Sequence, residues 1–408
     1  MKQRASYILR HAERLFILVG ILGSILRISF LIHFPQTHAA EDLDIAKHLA
    51  AGEGFSIYDR GPTTAKGPVY PFFLAFFIWL GADADNLWQA ALVQHLLLSW
   101  APLLIYRLGV YIASPTIGLI AGLAFALHPS FVYYPNVLEN TSIFIFLSLL
   151  WGLALFKLKK KFSWYGGAFL GVWWGIMWIE KPVAFLPMGI ALLWQLQLSV
   201  LLRLLPFALL PVGVWALRGY WTFGYPTWTK TYAAQHTFAI SWHPRFAATP
   251  AYTVSDSLAH YMDSIFILPE QVGGPAFAAL GKSIVRQQGT AKLIQRTLLH
   301  AVIFWWIPPR YWQDDSLRFW LVRKLPVILI NSLFLVGLWY GLHRHKKLTG
   351  LILLTSLLFT IFYALNHVLN IRYRLDIEWL QLYVCAMAVE GIGQSLSATR
   401  GKKLPDET

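Results

Sequence analysis

The sequence is short of charge, of acid above all, and of cysteine. Charged residues fill 13% of its 408 positions, against about 25% in a soluble domain, which excludes an ordinary water-soluble globule. Its single cysteine, Cys385, sits in an apolar run and excludes both an internal disulfide and a thiolate metal cluster, leaving the redox compartment open. The sequence contains no internal repeat, no Gly-rich phosphate loop and no HExxH-type metal motif. What it holds instead is 57% hydrophobic residues, with 19 Trp, 27 Phe and 18 Tyr, the composition of an all-α polytopic membrane protein. The net charge of +14 does not indicate nucleic acid. Its basic residues stand in short runs between apolar segments, KLKKK at 157–161, HRHKK at 343–347 and RGKK at 400–403, which is the positive-inside pattern.

Apolar stretches of about 20 residues, the length that crosses a bilayer, fall near 15–34, 88–106, 115–133, 141–157, 165–180, 183–200, 204–220, 325–342, 348–365 and 377–396. With the N-terminus inside, these ten spans keep the three basic runs and Arg203 in the cytoplasm and export 35–87 and 221–324. The first span follows Lys2, Arg4, Arg10 and Arg14 and contains Arg27; it is too long for a signal-peptide core and reads as an uncleaved signal anchor. Arg27 is expected to pair inside the bundle. VYPFFLAFFIWLG at 69–81 is too short to cross and reads as a helix in the outer interface, as does 293–307, while 221–292 reads as a partly structured loop. The expected organisation is an N-terminal transmembrane module at 1–220 with its first outer loop at 35–87, a large outer loop at 221–324, and C-terminal transmembrane helices at 325–408.

Against the scarcity of acid, AEDLDIAKHLAAG at 40–52 crowds Glu41, Asp42 and Asp44 together at the lip of the first span. The stretch is Pro-free and rich in Ala and Leu, so it should be a helix whose acids favour its N-terminus. That alone explains solvated carboxylates. Helical spacing, however, puts Glu41 and Asp42 on adjacent faces, so one of them leans toward the membrane surface, where a desolvated carboxylate gains basicity. Lys66, in the turn GPTTAKGPVYPFF, reads either as a lysine at lipid headgroups or as a cation held for a lipid-linked phosphate. Glu139 opens the fourth span, stabilised by the helix N-terminus or placed to act in the bundle. Glu180 and Lys181, adjacent at an outer turn, read first as mutual neutralisation. Arg372 and Arg374, entering the last span from outside in NIRYRLDIEW, break the positive-inside pattern; they fit either a fixed phosphate partner or pairing with Asp376 and Glu378.

In order and spacing, IAKHLAAGEGF, PTTAKGPVYPFFLA, HPSFVYYPNVLENTSIF, LRGYWTFGYP, FWW and NIRYRLDIEW resemble the GT-C superfamily of membrane glycosyltransferases, in particular the group around protein O-mannosyltransferases and the lipid A aminoarabinose transferase. The resemblance spans most of the chain and implies a GT-C bundle of about ten transmembrane helices with interfacial helices in the first outer loop. It further implies transfer of a sugar from a polyprenyl-phosphate donor to a lipid, glycan or protein acceptor on the outer face of the cytoplasmic membrane, with inversion. By the same resemblance Asp42 or Glu41 is the catalytic carboxylate, and Lys66, Glu139, Arg372 and Arg374 bind substrate. The chain departs from the family where Gly67 separates Lys66 from Pro68, and where Asp376 and Glu378 follow the arginine motif. No cofactor is required by this scheme, although an acid-rich first loop leaves a divalent cation as an option. Two other classes stay open: a ligase or polymerase of pyrophosphate-linked glycans, and a lipid flippase or transporter, for which paired repeats and broken mid-span helices would be expected.

Overall fold

The computed structural model describes residues 2–34, 36–38, 40–161, 163–227, 231–307, 316–366 and 372–401. The PPRYWQDD stretch, the first two residues of NIRYRLDIEW and both lysines of RGKK lie outside them.

The described chain is almost wholly helical: α1 (Lys2–His33), α2 (Ala40–Ala50), α3 (Val69–Trp79), α4 (Trp88–Ile112), α5 (Pro115–Leu127), α6 (Pro129–Tyr133), α7 (Thr141–Lys160), α8 (Trp164–Glu180), α9 (Phe185–Gln195), α10 (Leu198–Phe223), α11 (Thr231–Ile240), α12 (Asp256–Phe266), α13 (Glu270–Gln288), α14 (Thr290–Trp305), α15 (Leu317–Phe319), α16 (Leu325–Arg344), α17 (Lys346–Leu365) and α18 (Arg372–Gly401). Six are long and apolar enough to cross a membrane: α1, α4, α7, α10, α16 with the π-helical turn that precedes it, and α17. The chain is thus an integral, multi-pass membrane protein.

The remaining expected spans are helical in modified form. The span at 115–133 breaks into α5 and α6 with a 58° bend at His128, because Pro129 disfavours the helical conformation at the residue before it. His128 takes an extended backbone and caps α6 by accepting from Ser130 N. The expected 183–200 span ends as α9 at Gln195, and its last residues join α10 instead. α8 has 17 residues, and α18, at 30, opens with charged side chains that depress its apolarity.

α18 lies at the centre of the largest buried core, where Leu375, Leu382, Tyr383 and Ala386 meet α4, α5, α7 and α16. Close helix crossings depend on glycine: a Cβ on Gly109 of α4 would stand 2.4 Å from the Cα of Gly118 in α5, and one on Gly337 of α16 would strike the carbonyl of Val384 in α18. Arg27, buried in α1, makes the internal pairing expected of it: it donates at 2.7 Å to the Phe131 carbonyl, which has no helical donor because the residue four positions on is Pro135.

Three features gather the site. A two-residue parallel pairing of β1 (Thr37–His38) with β2 (Val137–Leu138) ties the start of the segment after α1 to the residues just ahead of α7. The short apolar run at 69–81 forms the helix α3, packed on α2 through Leu43, Ala46, Tyr70 and Leu74. The stretch 221–292, expected as a loop, instead folds α11, α12 and α13 around their own core of Tyr232, Trp242, Met262 and Phe277. Its apolar residues were too interleaved with polar ones to stand out in the sequence, yet α12 is strongly one-sided.

Replacing Gly109 with Val should cost about 1–3 kcal/mol through overpacking at the α4–α5 crossing, lowering the thermal midpoint in detergent, while Gly213→Val, which meets open space, leaves it within error.

Candidate active site

Lys66 is placed by a loop that is clamped from two sides. Glu270, at the start of α13, accepts from Thr63 Oγ1 at 2.8 Å and from Thr64 N at 2.8 Å. Arg218 of α10 donates to the carbonyls of Thr63 at 2.9 Å and Phe55 at 3.0 Å. The loop then passes Gly67 against the end of α8, where any Cβ would lie 2.6 Å from the Glu180 backbone. The glycine between Lys66 and Pro68 is therefore a packing requirement: only the missing side chain lets the turn approach α8.

The result brings Lys66 Nζ to 2.6 Å from Glu41 Oε2 and 3.7 Å from Asp42 Oδ2. The three crowded acids have separate fates. Asp44 accepts from Tyr58 N and lies 3.5 Å from His48, holding the loop together. Glu41, half-exposed, pairs with Lys66, whose ammonium pulls the carboxyl down to about 2. Asp42 is 4% exposed and faces the cavity; burial pushes its pKa up, with the charges of Glu180 and Glu41 adding and Lys66 opposing. Burial also disfavours the ammonium of Lys66, but Asp42 and Glu41 outweigh it and hold the lysine above its ordinary value.

From the far end of the sequence, Arg372 at the start of α18 ion-pairs with Glu139, two residues ahead of α7. Glu180 and Lys181 do not neutralise each other. Glu180 caps α3 by accepting from Val69 N at 2.9 Å and holds Asn140 at 2.7 Å, while Lys181 reaches Asp376 at 2.5 Å.

Asp42, Lys66, Asn140, Lys181 and Arg372 line one cavity of about 980 Å³. The helices α11 and α13 wall its outer side, and Phe362, Tyr363 and Tyr373 wall the side toward α17. Of the six residues singled out in the sequence, Asp42, Lys66 and Arg372 reach the cavity wall, with Glu41 and Glu139 as their immediate partners. Arg374 does not. It is 2% exposed, turned to Glu378 at 3.3 Å and to the carbonyls of Trp305 and Trp306, with His128 on the other side of Glu378. Successive residues on a helix diverge by about 100° for each step, so two positions past Arg372 the side chain faces the protein interior. Pairing with Glu378 thus describes Arg374, and a partner from the segment ahead of α7 describes Arg372.

Sequence reading missed Asn140, the place of Lys181 in the cavity, and the cavity-facing residues of α11 and α13. Asn140 follows Glu139 directly and could have been found by that adjacency; the α13 positions carry no local signal beyond two basic residues on one face. Among the described residues no group of three or more His, Cys, Asp or Glu is gathered as metal ligands. The Lys66 ammonium stands between the Glu41 and Asp42 carboxylates, 2.6 Å from the one and 3.7 Å from the other.

Gly67→Ala should push the Lys66 turn off α8 and lower activity more than it lowers the thermal midpoint; equal activity at unchanged stability would show that the close approach does not set the lysine.

The family model for dolichyl-phosphate-mannose-protein mannosyltransferases matches residues 65–219, a segment that includes Lys66, Glu139, Glu180 and Lys181. By structure, the chain is similar to the oligosaccharyltransferase AglB of Archaeoglobus fulgidus in complex with an inhibitory peptide and a dolichol-phosphate, at 12% identity and a TM-score of 0.50, over 96% of this chain and 52% of that one. The same archaeal enzyme in complex with Zn and sulfate superposes at 12% identity and a TM-score of 0.53, over 93% and 50%. ArnT of Cupriavidus metallidurans, bound to undecaprenyl phosphate, aligns over 97% of this chain and 81% of its own at 12% identity, with a TM-score of 0.39, too low to argue from. The chain spans about half the length of the oligosaccharyltransferase structures it matches. No curated protein matches it by sequence. The family model covers residues 65–219 of the 408, and the likeness in structure shows that the chain shares the helical membrane fold of the oligosaccharyltransferase it superposes on.

Proposed function

We propose that this protein transfers a sugar from a polyprenyl-phosphate donor to an acceptor hydroxyl on the outer face of the cytoplasmic membrane. One observation carries the reading: a single cavity joins a buried carboxylate, Asp42, to the cations Lys66 and Arg372, drawn from segments some 300 residues apart, beside the apolar end of α17.

In this scheme the donor enters laterally past Phe362, Tyr363 and Tyr373, its chain in lipid and its phosphate in the cavity. Lys66 and Arg372 stabilise the charge that develops on the departing phosphate. Asp42, its basicity raised by burial, accepts the proton of the acceptor hydroxyl as the oxygen attacks the anomeric carbon. The C–O bond to the phosphate breaks as the new glycosidic bond forms, the phosphate leaving with the bonding pair, so the configuration inverts. Glu41 and Glu139 keep the two cations charged and in place before the donor arrives. The ammonium of Lys66 fills the role a divalent ion would otherwise have beside the carboxylates, so the reaction needs no metal.

The outer-face placement is supported by helix direction. α7 starts beside Glu139 and ends in the lysines at 157–160, about 30 Å away at 1.5 Å per residue. α17 likewise starts with Lys346 and Lys347 and ends at the cavity, and α16 ends in His343 and Arg344. The basic clusters therefore lie at the end opposite the cavity, the cytoplasmic end by the positive-inside rule. Acceptors compatible with the cavity include lipid, glycan and protein hydroxyls.

Detergent-purified protein given a panel of radiolabelled undecaprenyl-phosphate sugars should release or transfer sugar from one of them, undiminished by EDTA. Asp42→Asn should cost a factor of about a hundred or more, as loss of a general base does, and Lys66→Ala a comparable factor through the lost phosphate contact. Release by Asp42→Asn at the wild-type rate, or none from any donor by the wild type, would overturn the reading.

The pH profile supplies a separate check. Asp42 must be ionised to act, so activity should rise with pH through a pKa above the ordinary carboxylate range. Glu41 pushes that value up; Glu41→Gln removes the repulsion and should move the acidic limb to lower pH, and an upward move would contradict the assignment.

A further inference from the structure

The three cations deep in the cavity are each matched by a carboxylate: Lys66 by Glu41 and Asp42, Arg372 by Glu139, and Lys181 by Asp376. Two more basic residues line the same cavity, Lys282 and Arg286 of α13. Neither has a carboxylate partner among the described residues, and both are exposed. The uncompensated positive charge of the cavity therefore stands on α13, not beside Asp42.

Their arrangement is specific. Four residues apart, Lys282 and Arg286 share one helical face with Ala278, Gly281 and Val285, all of which line the cavity. Like charges at this spacing disfavour the helix, and only Arg286, in the last turn, gains from the helix C-terminus. The first turn of α13 is fixed to the Lys66 loop through Glu270, so the pair keeps a set relation to the inner cations.

The pair also shares its cavity with the end of a span. Phe362, Tyr363 and Asn366, at the outer end of the apolar helix α17, line the same opening. α14, which follows α13 after Gly289, docks on that end: Arg296 donates to the Leu365 carbonyl at 3.3 Å, and His300 lies 3.1 Å from that of Ala364. Lys282 and Arg286 thus share one cavity with the end of an apolar span and with its aromatic wall. That combination suits an anion carried on a lipid.

We propose that Lys282 and Arg286 form an entry subsite for a lipid-linked phosphate, which holds the donor phosphate at the cavity mouth before it displaces Glu41 and Glu139 from Lys66 and Arg372. The proposal rests on the polyprenyl-phosphate reading above and adds a second phosphate position to it. Bulk phospholipid offers the same chemistry, so the test must separate the two sources.

Binding of undecaprenyl phosphate to the full-length protein in detergent would be followed by tryptophan fluorescence for the wild type, Lys282→Gln/Arg286→Gln, Lys282→Arg/Arg286→Lys, and Lys66→Gln. The neutralised pair should bind about tenfold more weakly, equivalent to about 1.4 kcal/mol, with a shallower salt dependence, while the charge-preserving pair retains wild-type affinity. The neutralised pair's thermal midpoint should stay unchanged or rise, because the like-charge repulsion is removed. Unchanged affinity and salt dependence in the neutralised pair, with Lys66→Gln weakened, would overturn the subsite and leave the donor reading standing. Phosphatidylglycerol competing as well as undecaprenyl phosphate itself would reduce the pair to a general headgroup contact and overturn it too. A wild type that binds no undecaprenyl phosphate would sink both readings.

Discussion

A charge buried at the edge of a membrane must have a partner, and in this protein that requirement ties the far parts of the chain to one another. Lys66 of the first outer loop is held by acids of α2, Arg372 of α18 by Glu139 ahead of α7, Lys181 between α8 and α9 by Asp376 of α18, and Arg374 by Glu378 within α18. Removing one member of such a pair typically costs about 3–5 kcal/mol, because the other is left buried and uncompensated. The pairs are weak evidence for stability as such. They do fix which ends of which helices meet, and that meeting encloses the cavity.

The same pairing prepares the site for an anion. In the proposed reaction an arriving phosphate takes the place of Glu41 and Glu139 on Lys66 and Arg372, exchanging one partner for another rather than entering an empty electropositive hole. A site with all its cations uncompensated would repel itself in the absence of substrate. Here Lys66, Arg372 and Lys181 are each paired with a carboxylate and, among the described residues, the unpaired positive charge of the cavity stands on α13. Asp42 is treated differently from its neighbour by one step of helix rotation: Glu41 turns to the lysine and becomes a weak base, while Asp42 turns into the protein and becomes a stronger one.

Much of this was legible before any coordinates. The apolar runs pointed to a multi-span helical protein, and the short run at 69–81 read as a helix lying in the interface, which the structure shows as the helix α3. The first-loop acids, Lys66 and Arg372 stood out as charges in a sequence that has few of them at membrane ends. Less could be read where a residue's role depends on which way its helix turns. Arg372 and Arg374 look equivalent in IRYRL, yet one lines the cavity and the other is sealed against Glu378. Glu180 and Lys181 look like a neutral pair, yet each serves a different helix. The helices of 221–292 escaped notice because they bury their apolar faces against one another, in short amphipathic pieces, rather than in lipid.

The sequence by itself determined that the chain lies in a membrane, which end of each span is basic, and which few charges have to be accounted for at the other. Composition and hydropathy act along the chain, and the bilayer reads them locally. Partner choice was decided only in three dimensions. Lys66 and Glu41 are 25 positions apart and Arg372 and Glu139 are 233 apart, distances over which no local propensity operates; the β1–β2 pairing, the glycine crossings and the fit of Gly67 against α8 set those meetings. The basicity of Asp42 belongs to the same class, since it comes from what is packed around the carboxylate and not from the residues beside it in sequence.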